Sequence, residues 1–382
     1  MLLIRHADLY APEHLGPRDI LIEGEKLARV AEDLSAFAPL CDETIDLRGA
    51  RVAPGYIDVH VHILGGGGEQ GPASRCPSCP LTELTLHGVT SVLGLLGTDG
   101  TSRGLEDLLY KCRALNEEGV TSWMLTGSYQ YPSPVMTGSV IRDIALIDRV
   151  IGCKIALSDH RSSSMTVQEL IRLGSDVRMG GLISGKAGLL TIHMGSGKKR
   201  LLPLIEAVEE SDIPIETFLP THMRRTPELL EDGVRFIGMG GTIDLTATEH
   251  PRTGVAAAVR DLLDRGIDLR HVTMSSDAFG SQPRFDSQGR CVGLTYVSPV
   301  TLHGELTAMV RDFGIPLEQA LIPLTLAPAR MLRQEGVKGC VAAGADADLI
   351  VYDADLGIDR VFAKGREMVR SGEALVRGRF GG

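Results

Sequence analysis

Pro54-Gly55-Tyr56-Ile57-Asp58-Val59-His60-Val61-His62 is the stretch that decides the fold. Ile57, Val59 and Val61 alternate with Asp58, His60 and His62, so the polar three share one face of a strand. Apolar residues surround them, which places that face in an interior. Two inward imidazoles at one strand end suit a divalent metal such as zinc. An HxH pair alone is a weak signal, because surface strands also carry histidines. Asp58, on the same parity, either joins the ligands or orients a histidine from behind.

Working outward, residues 53–335 repeat a strand-then-helix pattern. Segments 57–63, 91–96, 122–126, 154–158, 189–193, 217–221, 242–246 and 272–276 read as strands. Between them lie helical stripes: Leu105, Leu108, Leu109, Cys112 and Leu115, then Val255, Val259, Leu262 and Leu263 before Gly266. Leu306, Met309, Val310 and Phe313 make another. Such stripes pack against a barrel core. The pattern predicts a (β/α)8 TIM-type barrel. Residues 1–52 and 336–382 carry short β-type runs punctuated by glycines, which predicts one small β-sandwich domain made from both termini.

A barrel gathers its strand ends at one catalytic face. Thr98 follows the second strand, Tyr129 the third, His193 ends the fifth, His222 follows the sixth and Asp277 the eighth. Residues far apart in sequence thereby become neighbours. Each later histidine alone suits a core or barrel-mouth position equally well. With the HxH pair they supply four neutral nitrogen donors, and Asp277 adds a carboxylate. Lys154 opens the fourth strand segment. An ammonium cannot ligate a metal. A lysine carbamate can, through two oxygens. The other reading is a lysine paired with a carboxylate at the barrel mouth, and spacing does not separate the two.

PGYIDVHVH, the strand-four lysine, the two later histidines and the last-strand aspartate resemble the amidohydrolase superfamily. GGGGEQGP, SVLGLLGTD, SWMLTGSY, SDHRS, PTHMRR, GGTIDLT and SSDAFGSQP resemble its isoaspartyl dipeptidase family, and the likeness spans essentially the whole chain. The resemblance implies two zinc ions per subunit: His60, His62 and Asp277 on one, His193 and His222 on the other, bridged by carboxylated Lys154 and a hydroxide. It implies Asp277 as proton shuttle, Tyr129 as hydrogen-bond donor to the oxyanion, and an octameric homo-oligomer.

It also implies a metallo-dipeptidase acting on dipeptides joined through the aspartyl side chain. Such a substrate carries a free ammonium and two carboxylates near the scissile bond. Glu69, after four glycines, resembles the residue that binds the ammonium. Arg161 and Arg225 can each hold a carboxylate bidentately, Ser281 can hydrogen-bond the same end, and Gly67 and Thr98 can add contacts. Taken singly, Glu69, Arg161 and Arg225 also read as surface charges. Two features depart from the family pattern: Arg224, where a small polar residue is expected, and Ala278-Phe279, where Gly and Asn are more typical.

The rest of the sequence excludes other classes. A net charge of -10 without a basic run argues against nucleic acid or an anionic membrane surface as partner. The start is too short and polar for a signal peptide, and no apolar run spans a bilayer, which predicts a cytoplasmic protein. Seven irregularly spaced cysteines make no disulfide framework, and the Cys76/Cys79 pair lacks a second pair for a zinc knuckle. Gly195-Ser196-Gly197-Lys198-Lys199 lacks the first glycine and the Ser/Thr of a P-loop. Two alternatives stand beside the dipeptidase: a cyclic-amide or N-acyl amino acid hydrolase with the same metals, for which Glu69 has no use, and a non-catalytic oligomeric interaction protein, disfavoured by six filled ligand positions.

Overall fold

The structure, a computed structural model, describes residues 1–285, 288 and 291–379. It opens with β1 (Leu2–Tyr10), β2 (His14–Glu23), β3 (Lys26–Ala31), β4 (Glu43–Asp46) and β5 (Arg51–Pro54). The middle carries β6 (Tyr56–Val61), β7 (Val89–Gly94), β8 (Thr121–Gly127), β9 (Val150–Leu157), β10 (Leu189–Met194), β11 (Phe218–Thr221), β12 (Ile243–Thr246) and β13 (Val272–Ser275). A hairpin of β14 (Ser281–Phe285) and β15 (Cys291–Tyr296) follows, and the chain ends with β16 (Leu349–Tyr352), β17 (Ile358–Ala363), β18 (Arg366–Arg370) and β19 (Glu373–Ala374).

β6 to β11 pair in chain order as a parallel sheet, and β12 with β13 as a parallel pair. Two links close the ring. The Met223 amide donates to Asp244 O (3.2 Å), and the His62 amide donates to Ala278 O (2.9 Å) beside a parallel Val61–Ala278 bridge. Helices lie between consecutive strands, among them Leu105–Glu118, Val167–Ser184 and Val255–Asp264. This is the expected (β/α)8 barrel. β6, β7 and β10 are buried along their whole length, as parallel strands covered on both faces must be. Ile57, Leu93, Leu125, Ile151, Leu189 and Leu219 come from six successive strands yet touch in one cluster. Only side chains inside the ring can do that. The stripe Leu105, Leu108, Leu109, Cys112 and Leu115 is buried outside it.

The terminal strands form one nine-stranded sheet in which β5 joins β1 to β16, bringing the two chain ends together. Residues 344–347 hydrogen-bond residues 25–27, which folds the sheet over a core that includes Ile4, Leu9, Ile20, Val52, Leu349 and Phe362. β5 carries this sheet to Pro54, across the division expected at residue 53. Among the described residues no helix is long and apolar enough to cross a membrane.

One expectation needs correction. Lys154 does not open its strand: β9 begins at Val150 and places Lys154 well inside it. A Cβ at Gly152 would meet Leu189 O at 1.9 Å, so this glycine permits close strand approach. The β14–β15 hairpin has no counterpart in the sequence reading. It places Ser281 at the barrel mouth.

Candidate metal centre and active site

The strand ends bring six predicted residues into one buried cluster. The His60 and His62 rings lie 5.6 Å apart, His60 and His222 5.0 Å, and His193 and His222 4.5 Å. Asp277 Oδ1 stands 3.1 Å from His62 Nε2 and 3.5 Å from His60 Nε2. The ligand atoms of these three residues all fall within 4.8 Å of one another, a group able to hold a metal ion. Lys154 Nζ lies 3.0 Å from His60 Nε2. His222 and Asp277 occupy the left-handed region, with φ of 63° and 55°. Non-glycine residues rarely adopt it, and such strain concentrates at functional sites.

Electrostatics favour lone pairs. Burial, aided by Lys154, holds His60 well below the usual imidazole range, and burial, aided by the neighbouring His193, does the same for His222. Burial also brings His193 down to about 3 against its hydrogen bond to Asp159. Burial pushes the Asp277 carboxyl up, but the His62 hydrogen bond, aided by the nearby Lys154, outweighs it and holds the group below the usual carboxylate range. Lys154 is fully buried and forms no ion pair among the described residues. Burial brings its amine down to about 7, against the opposing charges of Asp277 and Asp244.

The donor set fits a metal group. His222 Nδ1 is held by Thr246 Oγ1 at 2.6 Å, while its Nε2 is buried with no hydrogen-bond partner. Such an orphaned nitrogen is costly unless something binds it.

Asp58 does neither of the things expected. Its carboxylate accepts from the backbone amides of His60 (3.2 Å) and Ser276 (3.1 Å) and from the Ser276 hydroxyl. It ties β6 to the end of β13 through the main chain and touches no imidazole. A bulge in β6 between Asp58 and Val61 accompanies this.

Asp159 was missed by sequence reasoning. It lies in SDHRS beside the noticed arginine, and only its neighbours in space reveal it. Its side chain is 3% exposed. It accepts from Arg161 Nε (2.9 Å) and Nη2 (2.8 Å) and faces His193 Nε2 at 3.0 Å. An ionised carboxylate only accepts, so His193 carries its proton on Nε2. His193 Nδ1 then bears the lone pair, and the Tyr129 hydroxyl, 2.6 Å away, donates to it. Gly195 and Gly197 support this loop. A Cβ at either would meet Ser158 O within 2.4 Å. The loop after β10 thus packs closely on the loop after β9.

The predicted recognition residues also converge. Glu69 Oε1 accepts from Thr98 Oγ1 (3.0 Å) and Arg161 Nη1 (3.4 Å), and Oε2 accepts from Ser281 Oγ (3.0 Å). Arg161 stacks over the Tyr129 ring at 5.3 Å. Arg225 Nη1 stands 3.7 Å from Asp159. Gly67, Glu69, Thr98, Arg161, Arg225 and Ser281 all line one cavity of about 520 Å³ that also reaches His62, His193 and Asp277. The glycine run shapes its rim. Gly65 has φ of 79°, and a Cβ there would meet Cys76 O and Pro77 O at 2.3 Å. Arg103 donates to Leu64 O and to Cys76 O (2.8 Å). Cys76 and Cys79 are buried free thiols whose amides bond Gly66 O and Ile63 O. They hold the loop in shape. None of the six cysteines with described side chains is in a disulfide.

Residues 190–368 match the family model described as the amidohydrolase family. The beta-aspartyl dipeptidase of Fervidobacterium islandicum AW-1, solved in complex with the beta-Asp-Leu dipeptide, is 41% identical over 98% of both chains with a TM-score of 0.91. D-hydantoinase from Thermus sp., 17% identical over 99% of this chain and 97% of that one, shares the fold with a TM-score of 0.69. Adenine deaminase 2 of Agrobacterium fabrum is 25% identical over 95% of this chain, which spans only 55% of that protein's length. At that identity and coverage to the Fervidobacterium enzyme, the chain belongs to the amidohydrolase superfamily, within the family of the beta-aspartyl dipeptidases.

Proposed function

We propose that this chain hydrolyses β-aspartyl dipeptides. The observation that carries the reading is Glu69: a carboxylate at the cavity mouth, held by Thr98 and Ser281, beside the His–Asp cluster and flanked by Arg161 and Arg225. Glu69 offers an anion for the ligand's ammonium, and the Arg161 and Arg225 guanidinium groups lining the same cavity can meet its carboxylates. A cyclic amide offers no ammonium for Glu69 to bind.

His60, His62 and Asp277 would hold one zinc ion and His193 and His222 the second, with carboxylated Lys154 between them. When bound, such a pair supplies a nucleophile at neutral pH and polarises the scissile carbonyl. Asp277, kept ionised, takes the proton from the attacking water and passes it to the departing amine nitrogen. Tyr129 stays protonated because burial pushes its phenol far up, so its hydroxyl donates to the developing oxyanion. Glu69 binds the ammonium, Arg161 and Arg225 the carboxylates. Gly67 and Thr98 shape the same wall.

A homo-oligomer, an octamer by family resemblance, accompanies this reading. Leu146, Met179, Leu182 and Ile183 are exposed on or beside the neighbouring helices Val140–Leu146 and Val167–Ser184, an apolar patch suited to a second subunit.

The test is a paired assay of β-Asp-Leu and α-Asp-Leu with zinc present, with dihydroorotate and hydantoin as controls. Hydrolysis confined to β-Asp-Leu is expected. Equal rates on the α and β isomers would refute the reading.

A further inference from the structure

A second cavity of about 170 Å³ adjoins the first, and Arg225, Asp277 and Gln282 line both. Its own wall adds His222, Thr246, Thr248 and Arg224. Arg224 donates from Nη1 to Thr253 O at 2.8 Å, but its Nε is buried without a partner. Among the described residues no carboxylate pairs with it. The nearby candidates are occupied. Glu305 accepts from the Thr248 amide and hydroxyl (3.1 Å each), the Val255 amide (3.0 Å) and the Ala256 amide (2.7 Å). Asp277 lies against His62 at 3.1 Å. A partly buried guanidinium with an unused donor and no counter-charge is unfavourable unless an anion from outside reaches it.

The position of the cavity says which part of a substrate reaches it. Asp277 passes the proton to the leaving amine, so the residue bearing that amine lies against Asp277. The side chain of that residue has this cavity beside it. At roughly 30 Å³ per water-sized group, the space admits at least the non-hydrogen atoms of a glutamate side chain.

We propose that this cavity receives the side chain of the leaving residue and that Arg224 selects an acidic one, so that β-aspartyl dipeptides ending in glutamate or aspartate are favoured. The inference rests on the β-aspartyl dipeptide reading above. Arg225 faces the main cavity as well and remains available to the terminal carboxylate. Arg224 is thereby a specificity residue that acts on the side chain.

The test compares kcat/KM for β-Asp-Glu, its neutral isostere β-Asp-Gln, and β-Asp-Leu. A charge-assisted contact predicts that the zinc-loaded protein prefers Glu over Gln by about tenfold or more. Arg224→Gln should bring that ratio to about one, and Arg224→Lys should retain part of it. Inhibition of β-Asp-Leu hydrolysis by free L-glutamate and L-glutamine needs no variant. Glutamate should inhibit at a concentration about tenfold lower. If β-Asp-Gln and β-Asp-Leu are cleaved while Glu is not favoured and glutamate inhibits no better, the selectivity is overturned and the dipeptidase reading survives. If none of the three is cleaved, both fall.

Discussion

The Asp159 carboxylate lies 3.0 Å from His193 Nε2 and holds Arg161 through both of its oxygens, at 2.8 and 2.9 Å. One buried side chain thus sets the tautomer of a candidate metal ligand and the direction of a candidate substrate-binding arginine. Asp159→Asn keeps the shape but loses the charge. Zinc affinity should fall about 10- to 100-fold, the usual effect of losing a histidine's carboxylate partner. Competition with a chromophoric chelator measures this without any turnover. KM for β-Asp-Leu should rise as well. Unchanged zinc affinity would remove Asp159 from this role.

Glu69→Gln should lower kcat/KM on β-Asp-Leu by about 10- to 100-fold, as expected for a lost charge-assisted contact. The comparison that isolates the contact uses the analogue lacking the α-amino group. The native protein should discriminate strongly between the two substrates and the variant hardly at all. Equal discrimination by both proteins would place the ammonium elsewhere.

Tyr129→Phe should act on kcat. Removing one oxyanion donor costs about 10²- to 10³-fold. KM should change little, because the contact forms only as charge develops. A rise in KM with kcat intact would make Tyr129 a ground-state binding group.

Gly65→Ala should destabilise the protein by about 2 kcal/mol or more, since it adds a left-handed residue to a clash with two carbonyl oxygens. Urea unfolding measures the loss. Activity should fall further than stability alone explains, because the loop carries Glu69.

His303 predicts a pH dependence of stability. Burial brings its imidazole down to about 4, and Tyr56 Oη lies 3.0 Å from its Nδ1. The unfolded chain binds that proton near pH 6.5, so between these values the unfolded state holds more protons. The contribution is complete above about pH 6.5 and is lost as pH falls towards 4. Its size is about 3 kcal/mol at most. His303→Gln should unfold in urea with a shallower acid dependence over that window. Parallel curves for the two proteins would count against it.

The sequence by itself determined much of this molecule. Alternation through Asp58–His62 marked a strand, though the bulge between Asp58 and Val61 breaks it and Ile57 and Val59 join the ring interior, and the recurring stripes such as Leu105–Leu115 marked helices, because 2.0 and 3.6 residue periods are local properties. The histidines, Lys154 and Asp277 were legible because each sits at or near an apolar strand, as were Glu69, Arg161, Arg225 and Ser281 through family likeness. Tertiary structure alone decided the rest. Asp58 turned to backbone amides because the end of β13 arrives beside it. Lys154 lay inside β9, whose pairing with β10 begins at Gly152 and Leu189. Asp159 looks like an ordinary surface charge in one dimension, and Arg224 stands out only as a departure from the family pattern. Their partners, His193 for one and an empty-handed cavity wall for the other, come from distant segments that only ring closure brings within reach. Periodicity is written along the chain, whereas the balance of charge, burial and unused hydrogen bonds is settled only where strands meet.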